Sequence, residues 1–224
     1  MIAIKDNIAD VELQIATACQ RAHRKASDVT LLAVSKTKPL EMLQLAYNAG
    51  QRNFGESYVQ EAVDKITAWQ NRPDITWHFI GPIQTNKTKL IASHFSWVHS
   101  IDRIKVAKRL NEHRSGQDTP LNICLQVNIS GELSKSGVLP AELPALLAVI
   151  ETCDNLCLRG LMAIPEKNAP QASFNEMQKL FTALKQSYPT MDTLSMGMSA
   201  DLQLAINAGS TMVRIGSAIF GARS

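Results

Sequence analysis

The chain has 224 residues, 45% of them apolar and 19% charged, with a formal net charge of +3. This is enough for one filled core, read here as a single domain over residues 1–224. The charge is too small and too evenly spread, with too few aromatics between the basic residues, for a nucleic-acid surface. No apolar run reaches membrane-spanning length and no charged start leads into an apolar signal segment, so the expected location is the cytoplasm.

Residues 4–24 carry Ile4, Ile8, Val11, Ile15, Ala18 and Ala22 on one stripe, which predicts an N-terminal helix of about five turns, either part of the single domain or loosely attached to it. Val29–Val34 is an apolar strand that ends at Ser35-Lys36, and Pro39 opens a helix that Gly50 stops. The same grammar then repeats. Arg52–Phe54 is a short strand and Tyr58–Trp69 a helix. Thr76–Ile80 is a strand and Thr85–Ser93 a helix. Trp97–His99 is a strand, followed by a helix from about Ile104 with Asp102 as its N-cap. Leu121–Ile129 is the longest strand signal, with a helix over Pro140–Glu151 after it. Leu156–Leu158 and Thr193–Ser195 are weaker strands on either side of a helix over Phe174–Gln186. A short helix over Leu202–Ala208 and a last strand over Thr211–Ile215 complete the series.

Eight strand candidates, nearly all separated by helices and with buried runs more than alternation, predict a (β/α)₈ TIM barrel. A doubly wound sheet is the alternative. The polar, glycine-bounded stretch 130–139 is either a site loop or plain surface. Cys19, Cys124, Cys153 and Cys157 form no matched pairs and read as ordinary thiols. The histidines show no metal-ligand spacing, so no metal is expected.

In a barrel the residues ending each strand share one rim, where ligands bind. Lys36 is either a surface lysine or an amine that desolvation keeps neutral and able to attack an aldehyde. Ser199, after Gly197-Met198, and Gly216-Ser217 follow the last two strands, where barrels build phosphate sites, though both segments are also plain turn chemistry. Arg214 is either a rim donor for a ring nitrogen or carboxylate, or half of an inner ion pair. Asn53 contacts a ligand edge or caps a helix. His78, between Trp77 and Phe79, faces away from them and either stacks on a ring or is a buried histidine with a backbone partner. Glu56 and Gly81 also sit at or just beyond strand ends.

The stretches Leu32-Ala-Val-Ser-Lys-Thr-Lys-Pro39, Asn53-Phe-Gly-Glu56 with Tyr58-Val-Gln-Glu61, and Trp77-His-Phe-Ile-Gly81 with Gln84-Thr-Asn-Lys87 resemble the pyridoxal phosphate homeostasis protein family. So do Gly160-Leu-Met162, Leu194-Ser-Met-Gly-Met-Ser199, and Val213-Arg-Ile-Gly-Ser217 with Ile219-Phe-Gly221. The resemblance runs from about residue 5 to the end. It implies a barrel like the N-terminal domain of alanine racemase (fold type III among pyridoxal phosphate proteins) with an extra N-terminal helix. It further implies pyridoxal 5'-phosphate as cofactor, with Lys36 forming the internal aldimine. Ser199, Gly216 and Ser217 then bind the phosphate, Arg214 lies beside the pyridine nitrogen, Asn53 and His78 line the cofactor, and Ser134–Gly137 lies at the pocket mouth. Ser217 stands where many relatives have threonine.

The function so implied is a carrier or buffer in vitamin B6 balance and amino-acid metabolism, without robust turnover. The racemases take a proton donor from a second domain that this chain lacks room for, and none of Tyr47, Tyr58 and Tyr188 follows the strand that would supply it. Two alternatives stay open: a pyridoxal-phosphate racemase or lyase, and a regulatory module that delivers the cofactor to apo-enzymes. Without the second domain, a monomer is expected.

Overall fold

The computed structural model describes residues 3–132, 135–166 and 168–222. Helix α1 (Ile4–Arg21) precedes eight strands: β1 (Thr30–Val34), β2 (Asn53–Glu56), β3 (Thr76–Phe79), β4 (Trp97–Ile101), β5 (Leu121–Val127), β6 (Leu156–Ala163), β7 (Thr193–Ser195) and β8 (Met212–Ile215). They pair in sequence order, all parallel, and close where Thr30–Ala33 of β1 meets Met212–Ile215 of β8. Between them lie α2 (Leu40–Asn48), α3 (Val59–Ala68), α4 (Thr88–His94), α5 (Ile104–Arg114), α6 (Leu143–Ile150), α7 (Gln171–Ser187) and α8 (Leu202–Asn207), and α9 (Ser217–Phe220) follows β8. The barrel expectation holds and the doubly wound sheet is set aside.

The predicted segments fall on these elements, with corrections. The strand expected at Leu156–Leu158 runs on to Ala163 and is longer than β5. Its Arg159-Gly160 step masked the continuation, because Gly160 weakens a strand signal. There β6 and β7 approach so closely that a Cβ on residue 160 would lie 1.6 Å from the Thr193 carbonyl oxygen. Asp102 does not cap α5: Arg103 is the N-cap residue, and Asp102 instead accepts from its Nε at 2.9 Å.

Helix α1 is not loosely attached. Ile4, Ile8, Val11, Ile15, Ala18 and Cys19 are all buried, and the helix packs against α2, α8 and α9. Asn7 donates to the Ile219 carbonyl at 2.8 Å, and Arg24 to those of Ile206 and Ser210. The reason is geometric. The segment after β8 makes only a four-residue helix, too short to cover the seam between β8 and β1, and α1 takes that place in the outer ring.

Outward strand residues such as Phe54, Phe79, Val98, Leu194 and Val213 are fully buried under the helices. The interior is unusually polar: His78, His99, Ser195 and Arg214 are all at most 4% exposed. The four cysteines are free thiols. No described helix is long and apolar enough to cross a membrane.

Candidate functional site

The C-terminal ends of the strands open on a cavity of about 350 Å³, within the range of small-molecule sites. Lys36 and Lys38 enter it from the loop after β1, Ser57 from beyond β2, and Ile164 from beyond β6. Ser199 comes from the loop after β7, and Arg214, Gly216 and Ser217 from the end of β8 onward. Five of the residues expected to hold a ligand are thus brought together: Lys36, Ser199, Arg214, Gly216 and Ser217. Among the described residues lining the cavity, three are basic and none is acidic.

Lys36 is half-buried, and the residues on both sides of it are clamped. The Ser35 hydroxyl donates to Glu56 Oε1 at 2.6 Å, and the Ser35 carbonyl accepts from Lys65 Nζ at 2.8 Å. Thr37 sits at φ +62°, a left-handed conformation costly for a branched residue. Its backbone N–H donates to Glu61 Oε1 at 2.6 Å, and Lys65 Nζ reaches the same oxygen at 2.5 Å and Glu56 Oε1 at 2.8 Å. Burial, the largest influence, raises the Glu56 pKa against the pull of Lys65. In the sequence Glu56 stands out by its position at a strand end, and Lys65 does not. The available signal was a lysine on the apolar stripe formed by Ala62 and Lys65 of α3 and Trp69 at its C-cap, a position that demands a partner once buried.

The opposite wall comes from β7 and β8. Gly197, at φ +101°, turns the chain after β7, and its carbonyl accepts the Arg214 backbone N–H at 2.9 Å. The Met198 N–H donates to Asp201 Oδ1 at 2.5 Å, which folds the loop and leaves Ser199 exposed on the cavity wall. Gly216 caps α9 and lies so near β1 that an added Cβ would stand 3.2 Å from the Val34 carbonyl oxygen. Ser217 thus opens the first turn of α9, whose leading N–H groups have no intrahelical acceptor. Lys38 Nζ donates to the Ala222 carbonyl at 2.7 Å and ties the C-terminal segment to this wall.

Arg214 is 4% exposed, and no carboxylate lies within ion-pair distance of it among the described residues. The inner ion pair weighed from sequence is not formed. Instead Nη1 donates to the Ser195 carbonyl at 2.6 Å and to Ser195 Oγ at 2.8 Å, and Nη2 to the Ala163 carbonyl at 2.9 Å. Burial lowers its pKa to about 10, so it stays charged at neutral pH. A buried cation with no carboxylate in ion-pair contact among the described residues makes this end of the barrel a place for an anionic ligand. Pyridoxal 5'-phosphate, with its phosphate, aldehyde and pyridine ring, meets a matching donor set here: hydroxyls, an amine and a guanidinium.

Asn53 and His78 do not join this cavity. They line a second one of about 400 Å³ with Thr30, Thr76, Trp97, Thr193 and Met212, residues at the starts of strands and therefore at the opposite mouth. Asn53 opens β2, and His78 lies inside β3. The sequence marks where a strand begins and ends only loosely, so a residue assigned to a strand end can belong to either mouth. Ser134 lies outside the described residues. Ser136 and Val138 are held against β5, with Gln126 Nε2 donating to the Ser136 carbonyl at 3.1 Å and the Val138 N–H to the Gln126 carbonyl at 2.9 Å. Lys135–Gly137 is not among the residues lining the first cavity.

The family model for the alanine racemase N-terminal domain matches residues 12–224. A pyridoxal phosphate homeostasis protein of Vibrio cholerae is 54% identical over 231 residues, covering 100% of this chain and 98% of its own. The structure of PipY of Synechococcus elongatus with pyridoxal phosphate bound superposes with a TM-score of 0.83 at 35% identity, covering 97% of this chain and 100% of that one. Alanine racemase of Corynebacterium glutamicum superposes at 0.70 with 14% identity over 98% of this chain and 60% of that one, a likeness of fold alone.

Proposed function

Because the chain belongs to the pyridoxal phosphate homeostasis protein family, we propose that it holds pyridoxal 5'-phosphate reversibly on Lys36 and acts as an intracellular, cytoplasmic store and carrier of that cofactor. The observation that carries this reading is the composition of one cavity: two lysine amines, three serine hydroxyls and a buried guanidinium, with no acid on the described wall. The cofactor, when bound, supplies an aldehyde that a neutral amine adds to reversibly.

The rest belongs to the chain. Ser199, Ser217 and the turn at Gly216 bind the phosphate through hydroxyl and backbone donors. Arg214, which can only donate, faces the ring edge and disfavours a second positive charge there. The clamp of Glu56, Glu61 and Lys65 holds the loop that presents Lys36.

A racemase or lyase also needs groups that move protons at the substrate carbon. The described lining contains no histidine, tyrosine, cysteine, aspartate or glutamate, and its titratable side chains are Lys36, Lys38 and Arg214. Tyr47 and Tyr188 are engaged elsewhere, with Asp74 and Glu151. This supports storage over turnover. The exposed side chains of Tyr58, Ile164 and Met198 lie on loops that follow β2, β6 and β7, and they support a second element of the proposal, that a monomer docks there on apo-enzymes and hands the cofactor over.

Titration of Lys36→Ala with pyridoxal 5'-phosphate tests the first claim. The expected result is loss of the visible band of the lysine-bound cofactor, with phosphate-dependent binding retained in equilibrium dialysis. A persisting band with no other lysine modified contradicts it.

A further inference from the structure

Barrel interiors are normally filled by branched apolar side chains. Here a row of polar side chains crosses the interior instead. Asn53 Oδ1 lies 3.2 Å from His78 Nε2, His78 Nδ1 lies 3.0 Å from His99 Nε2, and His99 Nδ1 lies 2.9 Å from Ser195 Oγ. Ser195 Oγ then meets Arg214 Nη1 at 2.8 Å. His78, His99 and Ser195 are at most 1% exposed. The row joins the cavity that Arg214 lines to the one that Asn53 and His78 line at the opposite mouth.

The direction of every bond follows from one end. A guanidinium carries only donors, so Arg214 donates to the Ser195 oxygen. The single Ser195 proton must then go to His99 Nδ1, which is an acceptor only if the His99 proton sits on Nε2. That proton is donated to His78 Nδ1, and the remaining proton on His78 Nε2 is donated to the Asn53 carbonyl oxygen. The opposite tautomer of His99 would set two donors against Ser195 and leave the serine proton without an acceptor. Burial keeps both rings neutral, His78 with its pKa lowered to about 3 and His99 well below its ordinary value. The face of His78 is fixed by stacking on Trp97, with centroids 5.4 Å apart and planes 22° from parallel.

We propose that Ser195, His99 and His78 are positioning residues that form a one-directional hydrogen-bond chain and hold the Arg214 guanidinium in the cofactor cavity. No packing need explains five polar groups on this axis. A buried cation with no carboxylate in ion-pair contact among the described residues does need acceptors that cannot turn away, and His99 is what keeps the Ser195 lone pairs aimed at Arg214. The inference about cofactor affinity rests on the functional reading above. The inference about the chain itself does not.

The test therefore has one arm without cofactor and one with it. In cofactor-free protein labelled with ¹⁵N in histidine and arginine, ring spectra are expected to show His78 and His99 neutral and protonated on Nε2 at neutral pH. The two Arg214 Nη signals are expected to be resolved, and to merge as guanidinium rotation quickens in Ser195→Ala and His99→Leu. His99→Gln, which keeps one acceptor and one donor, is expected to leave them resolved. In the second arm, Ser195→Ala is expected to weaken pyridoxal 5'-phosphate binding about tenfold, the size of one hydrogen bond to a charged group, with His99→Gln close to the parent protein.

A Nδ1-protonated or charged ring at either position overturns the chain. Unchanged Nη signals in both Ser195→Ala and His99→Leu overturn the positioning role. If His99→Leu fails to fold, Ser195→Ala, which removes a single oxygen atom, decides alone. A parent protein that binds no cofactor would sink the functional reading and leave the labelled spectra to judge the chain.

Discussion

Thr37 holds a conformation that a β-branched residue adopts only under constraint, and that constraint is Glu61. Glu61→Gln keeps an oxygen but weakens the contact to Lys65, so the loop carrying Lys36 should loosen. Faster amide hydrogen exchange at Thr37 and Lys38 is the expected readout. Thr37→Gly in the same background should restore protection, since glycine takes positive φ without strain; no rescue would mean that strain at Thr37 is not what Glu61 restrains. Across the cavity, Ser217→Ala and Ser199→Ala should each weaken binding of the phosphorylated vitamer by about tenfold. They should leave non-phosphorylated pyridoxal unaffected, as isothermal titration with the two vitamers would show. Lys36 and Gly216-Ser217 were legible because they stand within two residues of a strand end and differ in type from the apolar run before them, and Ser199 through the Gly197 turn that precedes it in the loop after β7. Lys65, His99 and Ser195 were not, because a polar residue inside an apolar pattern shows that a partner exists without saying which one.

Among the elements, α1 tests how the barrel closes. It was legible as a helix from its apolar stripe, but its role was not, since nothing within residues 4–21 reveals that α9 stops after one turn. If α1 serves as the outer layer over the β8–β1 seam, Ile8→Ala, which empties a side chain only 3% exposed, should cost about 2–5 kcal/mol in denaturant unfolding. The unfolding should remain one transition. A separate early transition confined to α1 would show an appendage. β7, the shortest strand, and the four-residue β2 were legible only through their place in the repeat. The second half of β6 was hidden by Gly160, which is needed because the Thr193 carbonyl occupies the space of a side chain.

At the scale of the whole molecule, the alternation of strands and helices specified the closed barrel. Its polar interior follows from holding one arginine charge far from water. That interior has a consequence for pH dependence. His78 and His99 are neutral in the folded protein and titrate near their ordinary value in the unfolded chain. Below about pH 6.5 the unfolded chain therefore binds more protons, and stability falls as pH falls from about 6.5 toward about 3. The slope approaches about 1.4 kcal/mol per pH unit for each histidine. Urea unfolding at a series of pH values should show this loss, and His99→Gln should flatten it; a parent protein equally stable across that range would contradict a neutral buried pair.

The central claim is that one amine, at the mouth of β1, carries the cofactor. Reducing the loaded protein with borohydride and mapping its peptides by mass spectrometry tests this most directly. The pyridoxyl phosphate mass is expected on the peptide containing Lys36, stoichiometric and absent from every other lysine. An adduct spread over surface lysines, or fixed on Lys38 with Lys36 unmodified, would contradict it.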